Sequence, residues 1–279
     1  METQTSKFKD NIIFIILIIL AVAFLAPILV VIMNSFKGKF YISDTPFLFP
    51  NNTTFVGLEN YISGLDKTGF INAFGMSLFI TVGSVAVIVL FTSMTAWYIT
   101  RVKSKFTNSL YYVFTFSMIV PFQMVMFTLT KVANVTHLDN PLGIILIYLG
   151  FGSGLSVFLF SGFVKSIPLE VEEAVMMDGG SPVQTFFRVV LPILKPTAIT
   201  VSILNVMWVW NDYLLPYLII GTEYKTIPIA IQYLKGGYGS IDMGAMMAML
   251  VLAIIPIIIF YLSCQKYIIE GVVAGAVKG

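Results

Sequence analysis

Read from its first residue, the chain is a series of long apolar runs separated by short polar turns. Five stretches contain no Asp, Glu, Lys, Arg or His: Asn11–Met33, Thr68–Thr100, Phe106–Thr130, Asn140–Val164 and Met243–Gln265. A sixth, Pro196–Gly221, is interrupted only by Asp212. Each is long enough for a helix to cross a hydrocarbon core of roughly 30 Å, which takes about 20 residues. The period-two alternation of a membrane barrel is absent. The pattern predicts an all-α integral membrane protein with six transmembrane helices. Its segments are a tail over 1–10, a first span over 11–36, an outer loop over 37–68, a core of spans two to six over 69–265, and a second tail over 266–279.

Composition agrees with that pattern. The chain is 58% hydrophobic and 11% charged, with a mean hydropathy of +0.92. A soluble domain carries about a quarter charged residues. With the N-terminus inside, the inner segments hold ten basic residues: Lys7, Lys9, Arg101, Lys103, Lys105, Lys165, Arg188, Lys195, Lys266 and Lys278. The outer segments hold six: Lys37, Lys39, Lys67, Lys131, Lys225 and Lys235. The positive-inside bias therefore predicts both termini in the cytoplasm. The first run exceeds the roughly 7–15 residues of a signal-peptide core, and no small-x-small cleavage site follows it.

Several features narrow the chemistry. The lone Cys264 forms no internal disulfide and reads as a packed thiol. There is no basic patch interleaved with aromatics, which argues against nucleic acid. The sequence shows no nucleophile–base pair and no metal-ligand cluster, and its one histidine, His137, sits in a turn without a second ligand nearby. These observations argue against an enzyme and against a metal site. Arg101, Lys103 and Lys105 form a tight basic turn, read as a topology anchor. Gly150-x-Gly-x-Gly154 predicts close helix packing at the start of span four, and Gly244 with Ala248 does the same in span six. Pro27, Pro121, Pro216 and Pro256 are candidate kinks.

The segment between spans four and five departs from the apolar pattern. Ser166 and Pro168 predict a helix start, and Glu170, Glu172 and Glu173 favour its positive end. Val171, Ala174 and Val175 form a small apolar stripe. Gly179-Gly180 ends this helix. Ser181-Pro182-Val-Gln184 restarts one in capping-box order. The segment predicts a helix–turn–helix knob.

The same residues carry a resemblance. Glu173-Ala174-Val175, Gly179 and Val189-x-Leu191-Pro192 match, in order and spacing, the cytoplasmic "EAA" loop of ABC importer permeases. Val175 stands where the family has a second Ala, and Val189 where it has Ile; both stay apolar. Gly57-Leu-Glu-Asn-Tyr61, Trp210-Asn-Asp-Tyr-Leu-Leu-Pro216 and the glycine-rich ending Gly271–Gly279 extend the resemblance to the maltose-type carbohydrate branch, and to its smaller permease subunit. The resemblance implies a coupling helix within 165–195 that seats in an ATPase subunit, through Glu170, Glu173, Ala174, Met177, Asp178, Gly179 and Pro192. It implies contact of Gly275, Lys278 and Gly279 with the ATPase pair, although 271–279 by itself reads as an extended flexible tail. It also implies a homologous second permease, two ATP-binding subunits, an extracytoplasmic solute-binding protein, and residence in a bacterial cytoplasmic membrane.

This chain has no Gly-x-x-x-x-Gly-Lys-Ser/Thr loop, so ATP and Mg belong to the partner subunits and the chain itself carries no cofactor. Asn205, Trp208, Trp210, Asn211 and Asp212 are the candidates for the substrate pathway, because Trp stacks on sugar faces and amides bond hydroxyls. A charge within a span is costly and tends to face a cavity or a partner, which singles out Asp212. The competing expectation is an ion-coupled secondary transporter built around Asp212.

Overall fold

Long apolar sequences with few breakers fold as long helices, and here they do. The structure is a computed structural model that describes the backbone of residues 2–221, 223–235 and 241–276, and the side chains of 9–221, 223–235 and 241–267. The helices are α1 (Glu2–Asn34), α2 (Lys39–Asp44), α3 (Glu59–Thr68), α4 (Phe70–Arg101), α5 (Lys105–Ser117), α6 (Phe122–Val135), α7 (Pro141–Val164) and α8 (Leu169–Met177). They continue with α9 (Pro182–Thr185), a π-helical turn (Phe186–Val190), α10 (Leu191–Ile193), α11 (Lys195–Asn211), α12 (Leu214–Ile219), α13 (Ile227–Gln232) and α14 (Met243–Ala276). The described residues contain no strand, only one isolated bridge, Lys37 to Phe55.

Among the described residues, four helical stretches are long and apolar enough to cross a membrane unbroken: Lys9–Asn34, Phe70–Arg101, Pro141–Val164 and Met243–Tyr267. Two further pairs are bent, Lys105–Ser117 with Phe122–Val135 by 107°, and Pro182–Ile193 with Lys195–Asn211 by 75°. Counting each bent pair once makes up to six candidate crossings by length and composition. Pro27 and Pro256 lie inside α1 and α14 without breaking them.

Three expectations need correcting. The run Phe106–Thr130 is two helices rather than one: Pro121 has no N–H to give and forces its neighbour out of the helical region. The run Pro196–Gly221 also breaks, because α11 ends at Asn211 and Asp212 takes an extended ψ of 123°. A proline ring clashes with the carbonyl four residues back, and Pro216 puts that clash on Asp212. The expected flexible tail is helical as far as Ala276. Glycine costs a helix only about 1 kcal/mol relative to Ala, and only Gly271 and Gly275 of that ending fall within α14.

The chain divides into two compact units. The first comprises Met1–Phe70 and Ala230–Ile255. Here the outer loop is folded. Asn60 Nδ2 donates to the carbonyls of Ser35 and Lys37 at 2.8 Å each. Ser35 Oγ and Tyr61 Oη share a hydrogen bond of 2.7 Å. A Cβ at Gly244 would lie 2.3 Å from Asn60 Oδ1, so only glycine lets α14 pass there. Lys67 and Asp242 form an ion pair at 2.6 Å. Partial burial alone would raise the Asp242 carboxyl; the Lys67 ammonium and the Ala245 N–H outweigh it and hold it below its ordinary value.

The second unit comprises Ile71–Ile229 and Pro256–Gly279. Its centre is α7, whose Ile144, Tyr148, Val157, Phe160 and Val164 are buried in one cluster with Ile88 of α4 and Val201 of α11. Asn140 starts α7 by accepting from the N–H groups of Leu142 and Gly143 at 3.0 Å, with Pro141 at the first position. Two of the three glycines in Gly150–Gly154 pack as predicted. A Cβ at Gly152 would lie 2.6 Å from Ile88 Cδ1, and one at Gly154 would lie 2.8 Å from the Phe114 carbonyl; Gly150 faces open space.

Candidate functional site

The polar segment between α7 and α11 forms a knob closed at both turns by its own backbone chemistry. Gly179 takes φ +84°. Its N–H bonds the Met176 carbonyl at 3.0 Å, while the Gly180 N–H bonds that of Val175 at 2.9 Å. This paired closure satisfies the last carbonyls of α8. Ser181 then caps α9: Gln184 N–H donates to Ser181 Oγ at 3.3 Å, and Ser181 N–H to Gln184 Oε1 at 2.9 Å. The capping box stands where the sequence placed it. Ser166 does not cap α8, because its hydroxyl donates back to the Phe163 carbonyl and Pro168 occupies the cap position. Pro192 cannot donate, and the chain ahead of it widens into the π turn Phe186–Val190, in which Leu191 N–H reaches the Phe186 carbonyl.

Of the predicted knob residues, Glu170, Glu173, Ala174, Met177, Asp178, Gly179 and Pro192 are all exposed. Met177 is 87% exposed, which is far outside the habit of a packed methionine. Glu172 does the opposite. Only 1% of its side chain is accessible. Arg101 meets Glu172 Oε1 through Nη2 at 2.6 Å and Nε at 2.9 Å, and Trp97 Nε1 donates to Oε2 at 2.8 Å. Arg101 also donates to the Ile167 carbonyl at 2.9 Å. Trp97 and Arg101 lie four apart on α4 and so share one face. The Trp97 ring further rests 5.6 Å from that of buried Phe186.

One carboxylate therefore ties the knob to the end of α4. Sequence reasoning missed this anchor. Arg101 had a complete explanation as a topology marker, and Glu172 was one acid among several. The sequence held no local signal for the pair, because Arg101 ends α4 while Glu172 lies in the segment after α7.

The pathway candidates do not converge. On α11, Asn205 and Trp210 are buried, while Trp208 and Asn211 are exposed. Asn205 Nδ2 donates to the Val201 carbonyl at 2.8 Å and to Ser156 Oγ at 3.3 Å. Trp210 meets Phe74 edge-on at 5.8 Å. Asn211 bonds back to the Met207 carbonyl. Asp212, at the helix break, accepts from Tyr148 Oη at 3.1 Å and from Leu215 N–H at 3.3 Å. Tyr148 meets Trp208 edge-on at 5.2 Å. Asp212, Tyr148 and Trp208 thus form one group, with Trp208 and Asn211 as its open side. Of the C-terminal candidates, Gly275 lies in the backbone of α14, and Lys278 and Gly279 lie outside the described residues.

Comparison with known proteins matches this arrangement to a family. Residues 88–273 match the family model described as binding-protein-dependent transport system inner membrane component. The chain is 38% identical over 262 residues to a probable starch degradation products transport system permease protein of Thermoanaerobacterium thermosulfurigenes, covering 94% of each. It is 36% identical over 270 residues to a multiple sugar-binding transport system permease protein of Streptococcus mutans, covering 95% of this chain and 96% of the other. It also superposes with a TM-score of 0.78 and 23% identity on a chain of a bacterial ABC transporter involved in the import of the acidic polysaccharide alginate, covering 94% of this chain and 97% of that one.

Proposed function

We propose that this chain, which belongs to the family of binding-protein-dependent transport system inner membrane components, is the permease of an ATP-driven importer whose cargo is a carbohydrate. The knob carries the reading. A self-closed, exposed element held to α4 by an ion pair is built to receive force from outside the membrane and pass it inward. Membership of the family implies an ATPase and a solute-binding protein as partners. The finer composition is our inference: two ATP-binding subunits, one homologous second permease, and one extracytoplasmic binding protein.

In this reading both termini and the knob lie in the cytoplasm. Glu170, Glu173, Ala174, Met177, Asp178 and Gly179 seat in a cleft of one ATPase subunit, and Pro192 ends the segment that backs them. The C-terminal residues Gly275, Lys278 and Gly279 reach the ATPase pair. ATPase closure moves the knob, Arg101 carries that motion into α4, and the two permeases rock between outward and inward openings. The sugar character rests on the starch-product and multiple-sugar relatives. Trp208, Asn211 and Asp212 are the residues of α11 and its break placed to meet such a cargo. Asn205 and Trp210 serve the packing around it. An ion-coupled carrier is disfavoured, since it leaves the knob without a task.

The test is uptake of labelled oligosaccharides by cells with wild-type protein or with Glu173→Lys plus Gly179→Asp. Both sites are exposed, and insertion of the spans is measured alongside. Uptake should vanish, and the ATPase should no longer co-purify. Retained uptake and retained association would overturn the docking assignment.

A further inference from the structure

A cavity of about 710 Å³ opens beside the anchor, between the α4–α5 turn and the end of α7. Its lining includes Lys103, Lys105 and Lys165, and no carboxylate. No salt bridge engages these three ammonium groups among the described residues. Lys165 lies over the Tyr111 ring at 5.6 Å, which holds its charge against the cavity wall. The cavity also lies at the N-terminus of α5, a 13-residue helix whose dipole favours an anion there.

The independent observation is Ser161. This residue is 1% exposed, lines the cavity, and its hydroxyl has no hydrogen-bond partner among the described residues. A buried hydroxyl without a partner is costly, and native proteins usually satisfy it. It sits one helical turn before Lys165, so one acceptor oxygen can answer both. Ser104 is not available for this task, because its hydroxyl caps α5 through the Thr107 N–H.

We propose that this cavity binds a phosphate group, and that its occupant is the headgroup of an anionic phospholipid. Three lysines and a spare hydroxyl suit a doubly coordinated phosphate oxygen pair. The rest of the wall includes Ile99, Val102 and Tyr112, which suit an acyl-glycerol stem more than a free sugar phosphate. Basic pockets between membrane helices on the cytoplasmic side are sites for acidic headgroups. Lys165 is the first residue beyond α7, where the chain enters the knob, so a bound headgroup ties the root of the knob to the α4–α5 turn. Only the assignment to the cytoplasmic leaflet rests on the orientation proposed above; the binding measurement itself needs no transport.

The experiment is native mass spectrometry of the full chain, purified with its co-purifying subunits, after titration with phosphatidylglycerol or phosphatidylcholine. Wild-type protein should retain phosphatidylglycerol selectively. Lys103→Gln with Lys105→Gln and Lys165→Gln should lose it by about fivefold per lysine, on the order of 100-fold together. The corresponding triple Arg variant should retain it, which separates lost charge from lost folding. Lys9→Gln with Lys131→Gln, elsewhere on the chain, should bind as wild type. Equal retention by the triple Gln variant would overturn the site. Binding of inorganic phosphate that depends on the three lysines, without selective retention of phosphatidylglycerol, would overturn the lipid assignment in favour of a soluble phosphate.

Discussion

Glu172 holds a position that its neighbours do not. Both its oxygens are engaged, by a guanidinium and by an indole N–H, and its side chain is 1% accessible. Removing one partner of such a pair strands the other, at a cost of about 3–5 kcal/mol. Arg101 is 19% exposed, so losing Glu172 leaves a charge that water partly reaches. Losing Arg101 removes both of its bonds to Glu172 and its bond to the Ile167 carbonyl as well. Arg101→Ala should therefore destabilise more than Glu172→Ala. The exchanged pair, Arg101→Glu with Glu172→Arg, should recover only part of the loss, because Trp97 N–H would then face a second donor. Hydrogen exchange over residues 169–180 reads this directly: it should accelerate in both single variants and remain partly accelerated in the exchange. Unchanged protection would show that the knob is held by its apolar contacts alone. None of this was visible from the sequence, since the two residues lie 71 positions apart and each had a local explanation.

Local chemistry decided what could be read in advance about the elements. The end of α8 and the start of α9 are set by residues within four positions of each other, and the glycines, Ser181 and Gln184 announced them. The breaks after α5 and α11 were announced only as prolines. Whether a proline ends a helix or is carried inside it depends on what else satisfies the freed backbone. Pro27 and Pro256 are carried, while at Asp212 the carboxylate accepts from Leu215 N–H and starts α12. That role makes a prediction. Asp212→Asn keeps an acceptor for Leu215 and an amide for the Tyr148 hydroxyl. Asp212→Ala removes both and leaves the hydroxyl of Tyr148, 0% exposed, without its partner, at about 1–3 kcal/mol. Asn should thus keep thermal stability and uptake near wild type, and Ala should lose both. A carrier that moved an ion through this carboxylate would lose uptake with Asn as well, and that outcome would restore Asp212 as a coupling group.

At the scale of the molecule, the count of crossings decides where the knob lies. The sequence gives an even count and ten basic residues against six for the inner side. The structure adds a condition, because the pair α5 and α6 is bent by 107°. Crossing once, the pair gives three passages between the first loop and the knob, counting α4 and α7, and places them on opposite sides. Entering and leaving by one face, it gives two and places them on the same side. Cys264 is the sole cysteine, so a Cys264→Ser background carries no other thiol. In that background Ser43→Cys reports the first loop and Met177→Cys the knob, both at exposed positions. A membrane-impermeant maleimide applied to intact cells should label the first and spare the second until the membrane is opened. Labelling of both from outside would mean that α5 and α6 form a re-entrant hairpin. It would also place the knob out of reach of any cytoplasmic ATPase. The reverse pattern would invert the orientation that the lysines and arginines predict.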